Sequence, residues 1–174
     1  VLDARFPSAV SGCTTEVPQR IIDVVFQALA QPLADRVPAP AFSTGSNYAI
    51  AGTDGDGDPF ALFSFTGGGY GGSASCDVLT NGSTTISVAR VTSCEVQEAW
   101  FPIRYDRYAI RENSEGPGRQ RGGLGVEVDL TLVSGAAKLS LLGDRAFHGP
   151  PGIREGGPAA SAEHRLLLDG EERE

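Results

Sequence analysis

The stretch that decides the fold is residues 114–132, SEGPGRQRGGLGVEVDLTL. Its first part, Ser114 to Gly125, holds five glycines, one proline and two arginines. Glycine enters φ > 0 without steric cost, so this density of glycines predicts a loop whose course is set by the backbone. Its second part, Val126 to Leu132, alternates apolar and polar residues, which predicts a half-buried strand.

Two arginines, Arg119 and Arg121, lie within this glycine loop. Guanidinium groups beside bare backbone amides make a cationic, hydrogen-bond-donating corner that suits a carboxylate or a phosphate. The structural alternative is an ion pair from either arginine to an Asp or Glu elsewhere, which would hold the loop in place. The sequence leaves both alternatives open.

One helix is predicted early in the chain, from Pro18 to Ala30. Pro18 suits a first helical turn, Thr15 is a candidate N-cap, and Pro32 is expected to end the helix. Apolar residues recur at spacings of three and four, which predicts an amphipathic helix with one buried apolar face. That face comprises Val17, Ile21, Val24, Val25, Ala28 and Leu29.

Strands dominate the remainder of the chain. The predicted strands are Asn47–Ala51, Pro59–Phe65, Ile86–Val91, Ile103–Arg111, Leu124–Leu132, Lys138–Leu142 and Arg165–Leu168, with a turn at Asp169–Gly170. We expect the strand that ends at Leu132 to pair with Lys138–Leu142 as a hairpin. One helix followed by strands predicts an α+β fold with a mostly antiparallel sheet, in a single domain over residues 1–174.

The composition excludes several classes of function. A net charge of −8 disfavours nonspecific nucleic-acid binding, and no apolar run is long enough to span a bilayer. Cys13, Cys76 and Cys94 form no disulfide framework, which favours a reduced, cytoplasmic compartment. The chain begins with Val1 and holds no methionine, so we expect it to be processed, cleaved or a fragment.

Two motifs invite a ligand and fit it poorly. Asp54–Asp58 (DGDGD) resembles the start of an EF-hand loop, but Pro59 and Phe65 stand where glycine and glutamate are needed, so an exposed acidic turn is expected. Gly67–Gly72 (GGGYGG) contains GxGxxG and is predicted to be a flexible loop, but no helical pattern follows it to hold a pyrophosphate. The two histidines are isolated, so we expect no metal to be bound by this chain alone.

Several segments in order resemble the C-terminal part of the hydantoinase B/oxoprolinase family, and Ser114–Gly125 is the strongest of them. The others are Ala4–Pro7, Thr15–Gln31, Glu98–Pro102, Arg107–Arg111, Gly143–Arg145, Pro150–Gly152 and Gly156–Pro158. The family comprises B-type subunits of ATP-dependent hydantoinases, 5-oxoprolinases and acetone or acetophenone carboxylases. The resemblance covers most of the chain.

The resemblance implies part of an ATP-dependent amidohydrolase that acts on cyclic amides of the hydantoin or 5-oxoproline type. An A-type subunit and the N-terminal part of the B-type subunit are the implied partners, and they complete the active site around a small-molecule substrate. ATP and a divalent metal are expected in the whole complex, and neither is expected on this chain alone. The alternatives are an ATP-dependent ketone carboxylase and a non-catalytic assembly segment.

The resemblance also implies site residues. Glu95 and Asp77 are the predicted catalytic carboxylates, and a structural role for Glu95 remains an alternative. The predicted substrate-binding residues are Arg5, Asn81, Arg119 and Arg121. Near Glu95 the chain matches the family at Thr92 and Glu98 but departs from its commoner Asn and Pro at Val91 and Ser93.

Overall fold

The computed structural model describes residues 5, 7, 16–82, 89–168 and 171–173. Its elements in chain order are α1 (Glu16–Leu33), β1 (Asn47–Thr53), β2 (Pro59–Ser64), α2 (Cys94–Trp100), β3 (Ile103–Ile110), β4 (Val126–Leu132), β5 (Ala136–Leu142), β6 (Leu166–Leu168) and β7 (Glu171–Arg173). The predicted α+β class is confirmed. Every pair of strands in the three small sheets is antiparallel.

The predicted hairpin between β4 and β5 is wrong. β5 pairs with β1, from Thr53↔Ala136 to Asn47↔Leu142, whereas β4 pairs with β3. The chain passes from one sheet to the other at Gly135, whose φ is +80°. A methyl group at this position would overlap the carbonyl oxygen of Thr53. The bend at Gly135 delivers the chain to the edge of β1 that β2 leaves unpaired. The resulting order of the larger sheet is β2-β1-β5.

The core lies where the sheet of β1 meets the sheet of β3. Tyr48, Ile50, Leu62 and Ile103 form it, each less than a tenth exposed. Phe60, Phe101, Tyr105 and Leu130 pack around them. Hydrogen bonds continue the core on one side, because the hydroxyl groups of Tyr48 and Tyr105 are 2.7 Å apart and Tyr105 donates to Oε1 of Gln97 at 2.9 Å.

The helix predicted over Pro18–Ala30 is present as α1, but the prediction of its buried face is wrong. Gln19, Asp23 and Ala30 are buried, whereas the apolar face points outward with Val24 65% exposed. Polar contacts fix this orientation: Glu16 accepts hydrogen bonds from Gly45 and Asn47, and Asp23 pairs with Arg145. Pro32 lies inside the last turn, one residue before the helix ends.

The remaining predictions divide between confirmed strands and undescribed residues. β1, β2, β3, β4 and β6 match predicted strands within a few residues. The predicted strand Ile86–Val91 lies mostly outside the described residues, and residues 89–93 form none. Thr15 and the turn at Asp169–Gly170 are also outside them. Within the described ranges, no helix has both the length and the apolarity that a membrane span requires.

Candidate functional site

A large concave cavity of about 2220 Å³ occupies one side of the molecule. Its walls are three loops, residues 66–74, 116–125 and 150–165, together with faces of β1, β4 and β5. The elements deliver the loops to one place: β2 ends immediately before the first loop, and β4 begins immediately after the second. The cavity therefore gathers the segments that are richest in glycine.

The loop Gly67–Gly72, predicted to be flexible, packs directly against neighbouring backbone. Its backbone is hydrogen-bonded on both sides: Phe42 and Ala39 donate to Gly69 and Gly72 at 3.2 and 2.8 Å, and Gly68 exchanges two hydrogen bonds with Gly82. A methyl group on Gly69 would overlap the carbonyl of Gly123. These glycines let the backbones approach closely, and the loop forms a closely packed part of the cavity wall.

The loop Gly116–Gly125 is anchored through Ser114, which is 7% exposed. The Ser114 hydroxyl donates to the carbonyl of Arg111 at 2.6 Å and accepts from the amide of Gly125 at 2.9 Å. The amide of Gly123 donates to the carbonyl of Tyr70 at 2.9 Å, which joins this loop to the first one. The two glycine loops are therefore one hydrogen-bonded unit.

Arg121 and Asp77, both predicted site residues, contact each other. The backbone amide of Arg121 donates to Oδ1 of Asp77 at 3.0 Å, and its Nε lies 3.8 Å from Oδ2. Nη1 of Arg121 is also 4.0 Å from a carboxylate oxygen of Glu115. For Arg121, the structure therefore shows the structural alternative, in which an ion pair to an acidic residue holds the loop in place.

Arg119 differs from the other arginines of the cavity wall. Five of these are paired with acids: Arg107 with Glu127, Arg111 and Arg165 with Glu163, Arg145 with Asp23, and Arg154 with Asp35. Arg119 lines the cavity, is exposed, and has no ion pair or hydrogen bond among the described residues. Its guanidinium is available to an anion that enters the cavity.

Three other predicted site residues, Glu95, Arg5 and Asn81, do not line the cavity that Arg119 lines. Glu95 is exposed in the first turn of α2 and does not line the cavity, and hydrogen bonds from its own backbone amide and from Ser93 lower the pKa of its carboxyl. Arg5 is exposed and is also not among the lining residues. Asn81 has φ of +52°, its amide donates to Leu124 at 3.3 Å, and its side chain hydrogen-bonds the Tyr108 hydroxyl.

The described residues do not fit the metal or the nucleotide that the family resemblance implies. Across the described ranges no three His, Cys, Asp or Glu side chains cluster as metal ligands. In the turn Asp54–Asp58, Oδ1 of Asp54 accepts the amides of Asp56 and Asp58 at 3.0 and 2.9 Å. Residues 73–82, after GxGxxG, form no helix that could face a pyrophosphate.

Two features of the site were missed by sequence reasoning. Residues 150–165 form the third wall, where Gly157 and Ala160 donate to the carbonyls of Pro117 and Ser114. The available signal was the resemblance of Pro150–Gly152 and Gly156–Pro158 to the family, which does not by itself place them beside the glycine loop. The second feature is Arg145, with φ of +72°, whose guanidinium donates to the carbonyls of Ala41 and Phe42 at 3.1 and 3.2 Å.

Comparison with known proteins places these features in a family. The chain is 33% identical over 170 residues to an uncharacterized protein of Methanocaldococcus jannaschii, covering 98% of this chain and 29% of that protein. It is 30% identical over 149 residues to 5-oxoprolinase 1 of Arabidopsis thaliana, covering 86% of this chain and 11% of the enzyme. The chain thus spans less than a third of the length of either relative.

A solved structure of acetone carboxylase, nucleotide-free, shares the fold. The TM-score is 0.65 at 24% identity, over 77% of this chain and 18% of the carboxylase chain. A family described as Hydantoinase B/oxoprolinase matches residues 1–174. The glycine loops and the cavity that they enclose are thus features of a chain that belongs to the Hydantoinase B/oxoprolinase family.

Proposed function

We propose that this chain forms one wall of the active site of an ATP-dependent amidohydrolase for cyclic amides of the hydantoin or 5-oxoproline type. An A-type subunit and the N-terminal part of the B-type subunit supply the remainder. The support is membership of a family that includes 5-oxoprolinases and hydantoinases, together with a cavity whose lining includes residues of Ser114–Gly125 and Pro150–Gly152, two of the segments that resemble that family. The compartment that fits the free cysteines is the cytoplasm.

Arg119 is the observation that carries the proposal. The carbonyl of a small cyclic amide is a poor electrophile, and phosphorylation of its oxygen makes a leaving group. Both a phosphorylated amide and the carboxylate of 5-oxoproline are anions that a guanidinium binds through two oxygens. Arg119 is the arginine of the cavity wall without an acidic partner among the described residues, so an incoming anion meets no competing carboxylate on it.

The neighbouring charged groups have supporting roles in this proposal. Asp77 holds the amide of Arg121, and both hold the loop that carries Arg119. Asp77 is on the surface beside this loop, and it remains the better placed of the two predicted catalytic carboxylates. Hydrogen bonds from its own backbone amide and from Ser93 lower the pKa of the Glu95 carboxyl and so favour its carboxylate form.

The test is turnover of the reconstituted complex with variants of the loop. We expect Arg119→Ala to lose roughly 2–5 kcal/mol of transition-state stabilisation, as for removal of one partner of a buried charge pair. Arg119→Lys should recover part of it, because an ammonium group keeps the charge but not the fork. Arg154→Ala is the matched control, since Arg154 lines the same cavity but already pairs with Asp35. Wild-type turnover in Arg119→Ala would contradict the proposal.

Substrate arms in the same assay separate the alternatives. ATP hydrolysis that depends on a hydantoin or on 5-oxoproline supports the amidohydrolase. ATP hydrolysis that depends on acetone and bicarbonate would instead establish a ketone carboxylase. This alternative is included because the chain shares its fold with part of acetone carboxylase. Normal turnover in every cavity variant would leave the role of a structural assembly segment.

A further inference from the structure

Helix α1 presents a surface that carries no charged side chain. Its exposed aliphatic residues include Val24 at 65%, Val17 at 51%, Ile21 at 48% and Val25 at 47% exposure. Its other exposed residues are Pro18, Gln27, Ala28, Leu29, Gln31, Pro32 and Leu33. A helix surface that faces water normally carries charged and polar residues, and scattered single apolar residues need no explanation, whereas a continuous aliphatic face does.

The charged residues of α1 bind the remainder of the chain, and this leaves the aliphatic face of the helix pointing outward. Oε1 of Glu16 accepts hydrogen bonds from Gly45 at 2.5 Å and from Nδ2 of Asn47 at 2.7 Å. Arg20 lies 2.9 Å from Asp144, and Asp23 lies 3.1 Å from Arg145. Rotation of the helix to bury its aliphatic face would break all of these contacts. Exposure of that face therefore belongs to the fold of this chain.

The area of the face restricts what can cover it. An 18-residue helix is about 27 Å long and about 10 Å wide, so one face offers about 300 Å². A stable interface between separate molecules buries about 800 Å² on each partner. A dimer of two copies built on this helix alone is therefore disfavoured. In the two relatives, in contrast, the region that matches this chain makes up 29% and 11% of the polypeptide, so most of each polypeptide lies outside that region.

We propose that the aliphatic face of α1 is the docking surface for an uncharged aliphatic segment of the hydantoinase B polypeptide outside residues 1–174. The contact is uncharged because the face offers no group to pair with a buried charge. This inference rests on the proposed function in one respect: both place the chain in an assembly with the remainder of a B-type subunit. It assigns the site of that contact.

Photocrosslinking in the assembly purified from its source tests the inference. A benzoylphenylalanine replaces Val24, and a second variant carries it at Asp56 in the exposed β1–β2 turn as the matched control. We expect the Val24 variant, and not the control, to crosslink to an aliphatic segment of the hydantoinase B polypeptide outside residues 1–174, identified by mass spectrometry. A crosslink to an A-type subunit, to a second copy, or to residues 1–15 or 83–88 of this chain would overturn the inference. So would the absence of any crosslink above the control.

A charge substitution gives a second readout. Val24→Asp should weaken assembly by at least about tenfold, because it buries an unpaired carboxylate, whereas Val24→Leu should assemble normally. Far-UV circular dichroism of the separate chain should be unchanged, since the side chain is mainly in water there. Normal assembly of Val24→Asp overturns the inference alone, while a Val24 crosslink in a complex that hydrolyses no cyclic amide overturns the proposed function alone.

Discussion

The pair Asp23–Arg145 is the residue-scale contact on which the position of α1 depends most. The two side chains are 12% and 16% exposed, and burial lowers the pKa of the Arg145 guanidinium, which nevertheless stays charged at neutral pH. Oδ1 of Asp23 also accepts the amide of Ala41 at 3.4 Å. This pair ties the helix to the segment that precedes β1 and to the loop after β5.

We expect Asp23→Ala to destabilise the chain by about 3–5 kcal/mol, because it leaves a buried guanidinium without its partner. Urea unfolding followed by circular dichroism measures the change. Asp35→Ala is the control, since the Asp35–Arg154 pair has a similar 2.7 Å separation but is 76% and 58% exposed. It should cost less than about 1 kcal/mol. If Asp23→Ala and Asp35→Ala lowered the free energy of unfolding equally, burial of the Asp23–Arg145 pair would not be the reason for its contribution to stability.

Tyr105 is the second decisive residue, because it joins β1, β3 and α2 by hydrogen bonds. Burial is the main cause that raises the pKa of its hydroxyl, and the hydrogen bond with Tyr48 adds to it. An unfolded tyrosine ionises near pH 10, whereas the folded Tyr105 keeps its proton there. The unfolded state then binds fewer protons, so the free energy of unfolding falls as the pH rises above about 10.

Tyr105→Phe should flatten the alkaline part of this pH dependence. At pH 7 it should also cost about 1–3 kcal/mol, because the hydroxyl of Tyr48 and Oε1 of Gln97 lose their partner. Thermal unfolding between pH 7 and pH 11 measures both effects. Tyr108→Phe on the same strand is the control for the loss at pH 7, since its 39% exposure lets water replace lost hydrogen bonds. It should flatten the alkaline slope as well, because burial also raises the pKa of the Tyr108 hydroxyl. An unchanged alkaline slope in Tyr105→Phe would show that other groups control it.

At the scale of elements, the two glycine loops pack against each other through their backbones. Gly69 is buried, and a methyl group there would overlap the backbone of Gly123. Gly125 lies in the other loop, where the nearest atom to an added methyl group would be the Ser114 hydroxyl at 3.6 Å. Neither glycine has a positive φ, so the comparison isolates the close approach of the two backbones.

We expect Gly69→Ala to destabilise the chain by about 1–3 kcal/mol or more, because backbone atoms on both sides must move. Gly125→Ala should be neutral or stabilising by up to about 1 kcal/mol, through a less flexible unfolded chain. Chemical denaturation of the two variants gives the comparison. If Gly69→Ala proved as stable as Gly125→Ala, the loops would not be packed as described.

The elements also show how far the sequence predicts this structure. Period-two alternation located β3 and β4, and spacing of three and four located α1, because these patterns are local. The pairing of β5 with β1 was missed because it depends on the bend at Gly135. That bend is set by the close contact with Thr53 of β1, which is far away in the sequence. α2 was missed because seven residues carry too little periodicity, although Ser93 before Glu95 was a signal of a helix start.

The face of α1 was assigned to the core for a similar reason. Hydrophobic periodicity reports that an apolar face is covered by something, and within one chain the core is the default. Here Glu16 and Asp23 bind the remainder of the chain, so the polar face is the inner one. At the site, the sequence located the glycine loop and its arginines. It could not tell that Arg121 would contact Asp77 while Arg119 has no acidic partner among the described residues, because that depends on distances between loops.

At the scale of the whole molecule, the described part of the chain exposes more large apolar side chains than it buries. The buried set is centred on Tyr48, Ile50, Leu62 and Ile103, while β5 exposes Leu139, Leu141 and Leu142 at 43–50%. β5 is also an edge of its sheet in the described structure, and it carries Lys138, the single lysine of the sequence. A charged residue on an edge strand opposes pairing with other chains. These exposed surfaces are what an assembly would cover.

We therefore expect the separate chain to be much less stable than the chain within its assembly. A partner that binds only the folded chain adds stability by mass action, about 2.7 kcal/mol at a concentration of one hundred times the Kd. The separate chain should bind the dye ANS through its exposed apolar faces, and assembly should abolish that fluorescence and raise the thermal midpoint. Val24→Asp should reduce dye binding by the separate chain, whereas Asp56→Asn, in the exposed turn, should not. A separate chain that unfolds cooperatively at the same temperature as the assembly, as a monodisperse monomer without dye binding, would show that residues 1–174 need no partner for their fold.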